Sequence, residues 1–154
     1  MTKKPKPITI LMADDDDDDY ILTKKALKES KLLNTLIRVK DGEELIDYLL
    51  SRGDYEGVET ERPGVILLDL NMPRMDGREA LKEIKSNPEL RNIPIVIFTT
   101  SKAEADIYKS YQLGSNSFIT KPVTFDNLIK VMATLGSYWF EIVALPTDDD
   151  YHEK

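Results

Sequence analysis

A chain of 154 residues with 41% hydrophobic and 32% charged side chains has the length and balance of one compact globular domain, which excludes a disordered chain and a membrane span. Its 28 acidic side chains against 21 basic ones give a net charge of -7, which repels polyanions and argues against DNA or RNA as the direct partner. The absence of cysteine excludes disulfides and thiolate chemistry.

Behind Lys3, Lys4 and Lys6, the apolar stretch ends at Ala13 against six consecutive aspartates, too short for a signal peptide, so a cytoplasmic location is expected. Ile8 to Ala13 is predicted as a buried parallel strand that stops abruptly at acidic residues. Ile21, Leu22, Ala26 and Leu27 then have helical spacing, and the aspartates before them suit a helix start, giving a first helix from about Asp18 to Ser30. A weaker strand follows at Leu36 to Val39, and a second helix from about Glu43 to Ser51 carries Leu45, Ile46, Leu49 and Leu50. The polar stretch Arg52 to Gly64, punctuated by Gly53, Gly57 and Pro63, is predicted as a loop.

Val65 to Leu68 is the strongest strand pattern and delivers Asp69 to its carboxyl end. Pro73 and Gly77 mark a turn before a third helix with Ala80, Leu81 and Ile84. Ile93 to Phe98 is a further buried strand, ending in Thr99, Thr100 and Ser101. A fourth helix is predicted over Ala103 to Leu113, stopped by Gly114, then a short strand from Phe118 to Thr120 ending at Lys121 and Pro122, and a fifth helix from near Phe125. Five strands alternating with five helices imply an α/β fold with a doubly wound parallel sheet covered on both faces. The polar interruptions fall at strand carboxyl ends, where such sheets keep their sites.

Asp14 and Asp15, Asp69, Thr99 and Lys121 thus converge as an acidic cup with one cation on its rim. Clustered carboxylates repel one another and favour a hard divalent cation held by oxygen ligands. Magnesium suits such a cup, because a few protein oxygens, waters and a phosphate oxygen complete its octahedron.

The segments ADDD after the first strand, LLDLNMPRMDG after the third, FTTS after the fourth and FITKP after the fifth together resemble the receiver domain of two-component response regulators, over about Ile8 to Leu135. The resemblance implies a flavodoxin-like fold with strand order 2-1-3-4-5. It makes Asp69 the carboxylate nucleophile that accepts a phosphoryl group. Magnesium would be held by Asp15 and Asp69 carboxylates, by the Asn71 carbonyl and, through water, by Asp14. Lys121 would pair with a phosphoryl oxygen and the Thr99 hydroxyl with another. Thr99 and Phe118 would form the switch, altering the face built by the fourth predicted helix, the fifth strand and the fifth predicted helix. Phe118 lacks a hydroxyl and can signal by packing alone. The Lys121–Pro122 bond is expected to be cis, as in the family.

Other readings of the same residues are weaker. Asp16 to Asp19 are taken as a solvated helix start. A calcium loop counted from Asp14 would have Asp19 where glycine belongs and Lys25 where glutamate belongs. A haloacid-dehalogenase-type phosphatase needs an aspartate where Asn71 stands, and a degenerate receiver would not need the full set of Asp14, Asp15, Asp69, Thr99 and Lys121. His152 lies in an acidic tail and is assigned no role.

Residues 1–154 are thus read as a single domain with a core over about 8–135, a helical extension over 136–146 and an acidic tail over 147–154. Tyr138, Trp139, Phe140, Ile142, Val143 and Leu145 give the extension more apolar surface than a small domain easily buries, so Tyr138, Trp139 and Phe140 are expected to form a homodimer face. The tail YWFEIVALP, the TTSKAE run and the lengthened loop before the third strand resemble regulators that partner phytochrome-type histidine kinases. That resemblance implies a phosphohistidine donor on a kinase or a phosphotransfer protein, and an output by protein contact.

Overall fold

A computed structural model describes residues 7–100, 107, 109, 111–115 and 117–137. Five parallel strands form one sheet in the order β2-β1-β3-β4-β5, with β1 Ile10–Ala13, β2 Leu36–Val39, β3 Val65–Leu68, β4 Ile95–Thr99 and β5 Ser117–Thr120. Successive strand residues point to opposite faces, and the apolar runs divide accordingly. Leu11, Ala13, Ile66, Leu68, Ile95 and Ile97 pack with α2 (Gly42–Leu50) and α3 (Gly77–Ser86). Ile10, Met12, Val65, Leu67, Val96 and Phe98 pack with α1 (Asp17–Glu29) and the last described helix, α4 (Phe125–Leu135). Burial on both sides explains why these strands are uninterrupted apolar runs rather than alternating ones.

The helix boundaries follow from capping. Asp16 accepts from the N–H groups of Asp18 and Asp19 and starts α1 one residue earlier than predicted. Asp41, Asp76 and Thr124 cap α2, α3 and α4 in the same way. The buried face of α1 is Thr23, Ala26 and Leu27, whereas Ile21 and Leu22, counted toward its apolar pattern, are 46% and 39% exposed. Ile21 lies off the i, i+3, i+4 stripe that meets the sheet, and Leu22, one turn before Ala26, is at its edge.

Other differences have local causes. Strand β4 begins at Ile95 rather than Ile93, because Pro94 cannot donate to the ladder and Ile93 N–H turns back to the Leu90 carbonyl. The predicted loop before β3 contains a 3-10 turn, Gly53–Tyr55, whose Tyr55 ring meets Tyr48 edge-on. Of the predicted helix over 103–113, Ile107, Lys109, Tyr111 and Gln112 are helical, Gly114 ends it at a φ of 96°, and the rest lies outside the described residues. The expected cis bond is not found: no peptide bond among the described residues is cis, and the trans Lys121–Pro122 bond still brings the lysine into the site. Nor is any described helix long and apolar enough to cross a membrane. Tyr138, Trp139 and Phe140, the expected dimer face, lie outside the described residues.

Candidate functional site

The strand order reverses between β1 and β3, and both run directly into acidic residues. Ladder hydrogen bonds continue one step beyond the strands. Asp14 N–H donates to the Val39 carbonyl at 3.0 Å, Asp69 N–H to the Ala13 carbonyl at 3.0 Å, and Lys121 N–H to the Thr99 carbonyl at 2.8 Å. The sheet itself therefore sets Asp14, Asp69, Thr99 and Lys121 side by side at its carboxyl edge, the usual place for a site in this architecture.

Two glycines make the approach possible. A Cβ on Gly77 would collide with the Asp69 carbonyl, and one on Gly42 with the Met75 carbonyl. The amides of these glycines donate instead to Leu70 and Met75, at 3.0 and 2.9 Å, folding the loop after Asp69 against the starts of α2 and α3.

Asp14, Asp69 and Thr99 are buried, whereas Asp15 is exposed at the rim. One carboxylate oxygen from each of Asp14, Asp15 and Asp69 lies within 4.8 Å of the others. The two oxygens of Asp69 have different partners. Oδ1 accepts from the Thr99 hydroxyl at 2.7 Å and the Asn71 N–H at 3.1 Å, while Oδ2 faces Lys121 Nζ at 3.1 Å. Asn71 also reaches Thr99 Oγ1 through its side-chain amide, at 3.5 Å. The Lys121 ammonium lies 2.6 Å from Asp14 Oδ2 and 2.7 Å from Asp19 Oδ2. Phe118 is half-buried on β5 and packs against the core on the α2 and α3 side.

Charge in this cup is unbalanced, with Asp14, Asp15, Asp19 and Asp69 around one ammonium. Burial pushes the Asp14 carboxyl up to about 6, although Lys121 draws it down. Burial works against the charge on Lys121 too, but the hydrogen-bonded carboxylates of Asp14 and Asp19 outweigh it and hold the ammonium above its ordinary range. Asp14 Oδ2 is buried, and the Lys121 ammonium is its one partner among the described residues. An oxygen in that state, beside two further carboxylates and an open rim, fits a hard divalent cation.

The geometry brings together Asp14, Asp15, Asp69, Asn71, Thr99 and Lys121, and adds Asp19, which the sequence reading placed in solvent. No spacing in the sequence singles it out, because Asp15 precedes the helix and the i, i+4 relation holds only within one.

Similarity to known proteins points the same way. The model of the response regulator receiver domain family matches residues 10–133. The chain is 42% identical over 140 residues to the response regulator Rcp1 of Synechocystis, covering 91% of this chain and 94% of that protein. The crystal structure of Mn(2+)-bound Rcp1 superposes with a TM-score of 0.81, covering 92% of this chain and all of the other. That of the phosphorylated cyanobacterial phytochrome response regulator RcpA, 38% identical, superposes at 0.82 over 92% of this chain and all of the other. A receiver fold, a cation-ready acidic cup and a family match over most of the chain lead to one conclusion: this protein belongs to the response regulator receiver domain family.

Proposed function

We propose that the chain is a phosphoacceptor response regulator, taking a phosphoryl group on Asp69 from a phytochrome-type histidine kinase or a histidine phosphotransfer protein. The observation that carries this reading is the division of labour at Asp69. Oδ1 is held by Thr99 and Asn71, which fixes the carboxylate plane, and Oδ2 is left toward the ammonium as the attacking oxygen.

Asp69 Oδ2 forms the new bond to phosphorus while the bond from phosphorus to the donor's imidazole nitrogen breaks, the electron pair staying on the ring. Lys121 passes from Asp69 Oδ2 to a phosphoryl oxygen and offsets the charge brought in. The Thr99 hydroxyl turns from Oδ1 to a second phosphoryl oxygen. Magnesium, held by Asp14, Asp15 and Asp69 with the Asn71 carbonyl, would neutralise phosphoryl charge in the transfer. The same groups would position water for the return to free aspartate.

Phosphorylation adds about 1.5 to 2 negative charges and three acceptor oxygens, so Thr99 is drawn inward and Phe118 repacks beside it. The change reaches the face built by the helix predicted over 103–113, β5 and α4, and is passed on by protein contact, without nucleic acid, in the cytoplasm. Tyr138, Trp139 and Phe140 would supply a homodimer face, on the strength of their apolar content. The names of the related Rcp1 and RcpA, the second a phytochrome response regulator and phosphorylated, support the donor class, and the manganese in Rcp1 supports a divalent ion.

A phytochrome-type kinase labelled on its histidine tests the reading. Label should move to the wild-type chain in the presence of magnesium and stay on the kinase with Asp69→Asn. Equal labelling of the variant would overturn Asp69 as acceptor.

A further inference from the structure

Lys121 is 8% exposed in its side chain, and its ammonium meets three carboxylates, at 2.6 Å from Asp14, 2.7 Å from Asp19 and 3.1 Å from Asp69. An ammonium has three N–H donors, so these acceptors match its full capacity. Two of them, Asp14 and Asp69, belong to the group of carboxylates that could hold a cation; Asp19 does not.

Asp19 is also firmly mounted. Its N–H donates to the Asp16 side chain at 3.2 Å in the capped first turn of α1, and its carboxylate is 32% exposed. The adjacent Asp18 is capped by the same side chain but is exposed.

We infer that Asp19 is a positioning residue for phosphoryl transfer, holding the Lys121 ammonium at the mouth of the site by the 2.7 Å contact between them. This role rests on the phosphoacceptor reading of Asp69. Once Asp14 and Asp69 turn their charge to a divalent cation, Asp19 is the carboxylate that still anchors the ammonium. When Asp69 carries a phosphoryl group, a phosphoryl oxygen replaces Asp69 Oδ2 as an acceptor, and Asp19 keeps the ammonium aimed at it. Without Asp19 the flexible lysine stem spreads over more rotamers, and fewer encounters find the charge in place.

The helix start alone offers a competing account of Asp19, since any acid in the first turn is favoured there. Asp18→Asn controls for it. In the metal-free protein, acylation of Lys121 by an amine-reactive reagent, read by peptide mass, should be roughly fivefold faster in Asp19→Ala than in wild type and unchanged in Asp18→Asn. With magnesium and a small acyl phosphate, phosphorylation of Asp19→Ala should be slower by roughly fivefold. Asp19→Glu, which keeps the charge on a longer stem, should recover most of that rate.

Unchanged Lys121 reactivity in Asp19→Ala, or equal effects in Asp18→Asn, would overturn the positioning role. So would a phosphorylation rate equal to wild type, with the phosphoacceptor reading left standing. A wild-type chain that gains no phosphoryl group, while Asp19→Ala still exposes Lys121, would overturn the phosphoacceptor reading and the positioning role with it.

Discussion

At the scale of single residues, the site is built at the expense of stability, and Asp14 shows how. Its carboxyl ionises near 3.8 in an unfolded chain and near 6 in the folded one, chiefly because it is buried. Between those values the folded state binds more protons, so stability falls as pH rises from about 4 to 6 and the penalty is complete above that. From 3.8 to about 6, the cost is at most about 3 kcal/mol. Asp14→Asn is therefore expected to stabilise the metal-free protein at pH 7.5 by roughly 1 to 2 kcal/mol, less than the full penalty because the buried amide must itself be desolvated. Urea unfolding at pH 7.5 and pH 4.5 measures this; a variant less stable than wild type at pH 7.5 would contradict it. Asp14, Asp69, Thr99 and Lys121 were legible in the sequence because each ends an apolar strand, so the fold class alone sends them to one edge. Asp19 was not. Among six consecutive aspartates nothing in the sequence distinguishes the one that a lysine 102 positions away will reach.

At the scale of elements, apolar runs revealed all five strands, and caps account for where the helices begin. The errors arose where backbone chemistry outranks hydrophobicity. Ile93 is buried like a strand residue, yet Pro94 keeps it out of the ladder. Ile21 and Leu22 are apolar without facing the sheet, a distinction the apolar residues alone do not draw, because the buried stripe runs through the polar Thr23. The cis bond expected at Lys121–Pro122 came with the family resemblance, and no local residue pattern requires it. The tight packing of the loop after β3 gives a further prediction. Gly77→Ala must push the start of α3 away from the Asp69 carbonyl, which should cost about 2 to 3 kcal/mol and slow phosphorylation by displacing the acceptor. Chemical denaturation and phosphorylation kinetics of this variant check both effects, and an unchanged midpoint would show that the loop can yield.

At the scale of the whole molecule, a net charge of -7 and a carboxylate-rich sheet edge have the same consequence: the protein presents an acidic surface, and its site attracts cations. If Tyr138, Trp139 and Phe140 form the dimer face, Trp139→Ala should lower the average mass in sedimentation at high concentration, and an unchanged mass would remove the tail from the interface. The doubly wound architecture and the strand order were accessible from the alternation of elements and the receiver resemblance, because a parallel sheet with both faces buried leaves few other arrangements. Everything proposed for this protein turns on Asp69 accepting a phosphoryl group at this sheet edge. Its most direct test is intact mass after incubation with a small phosphodonor, with and without magnesium, for wild type and Asp69→Asn. A magnesium-dependent gain of one phosphoryl group is expected in wild type alone; no gain under rapid quenching, or the same gain in Asp69→Asn, would rule out Asp69 as the acceptor.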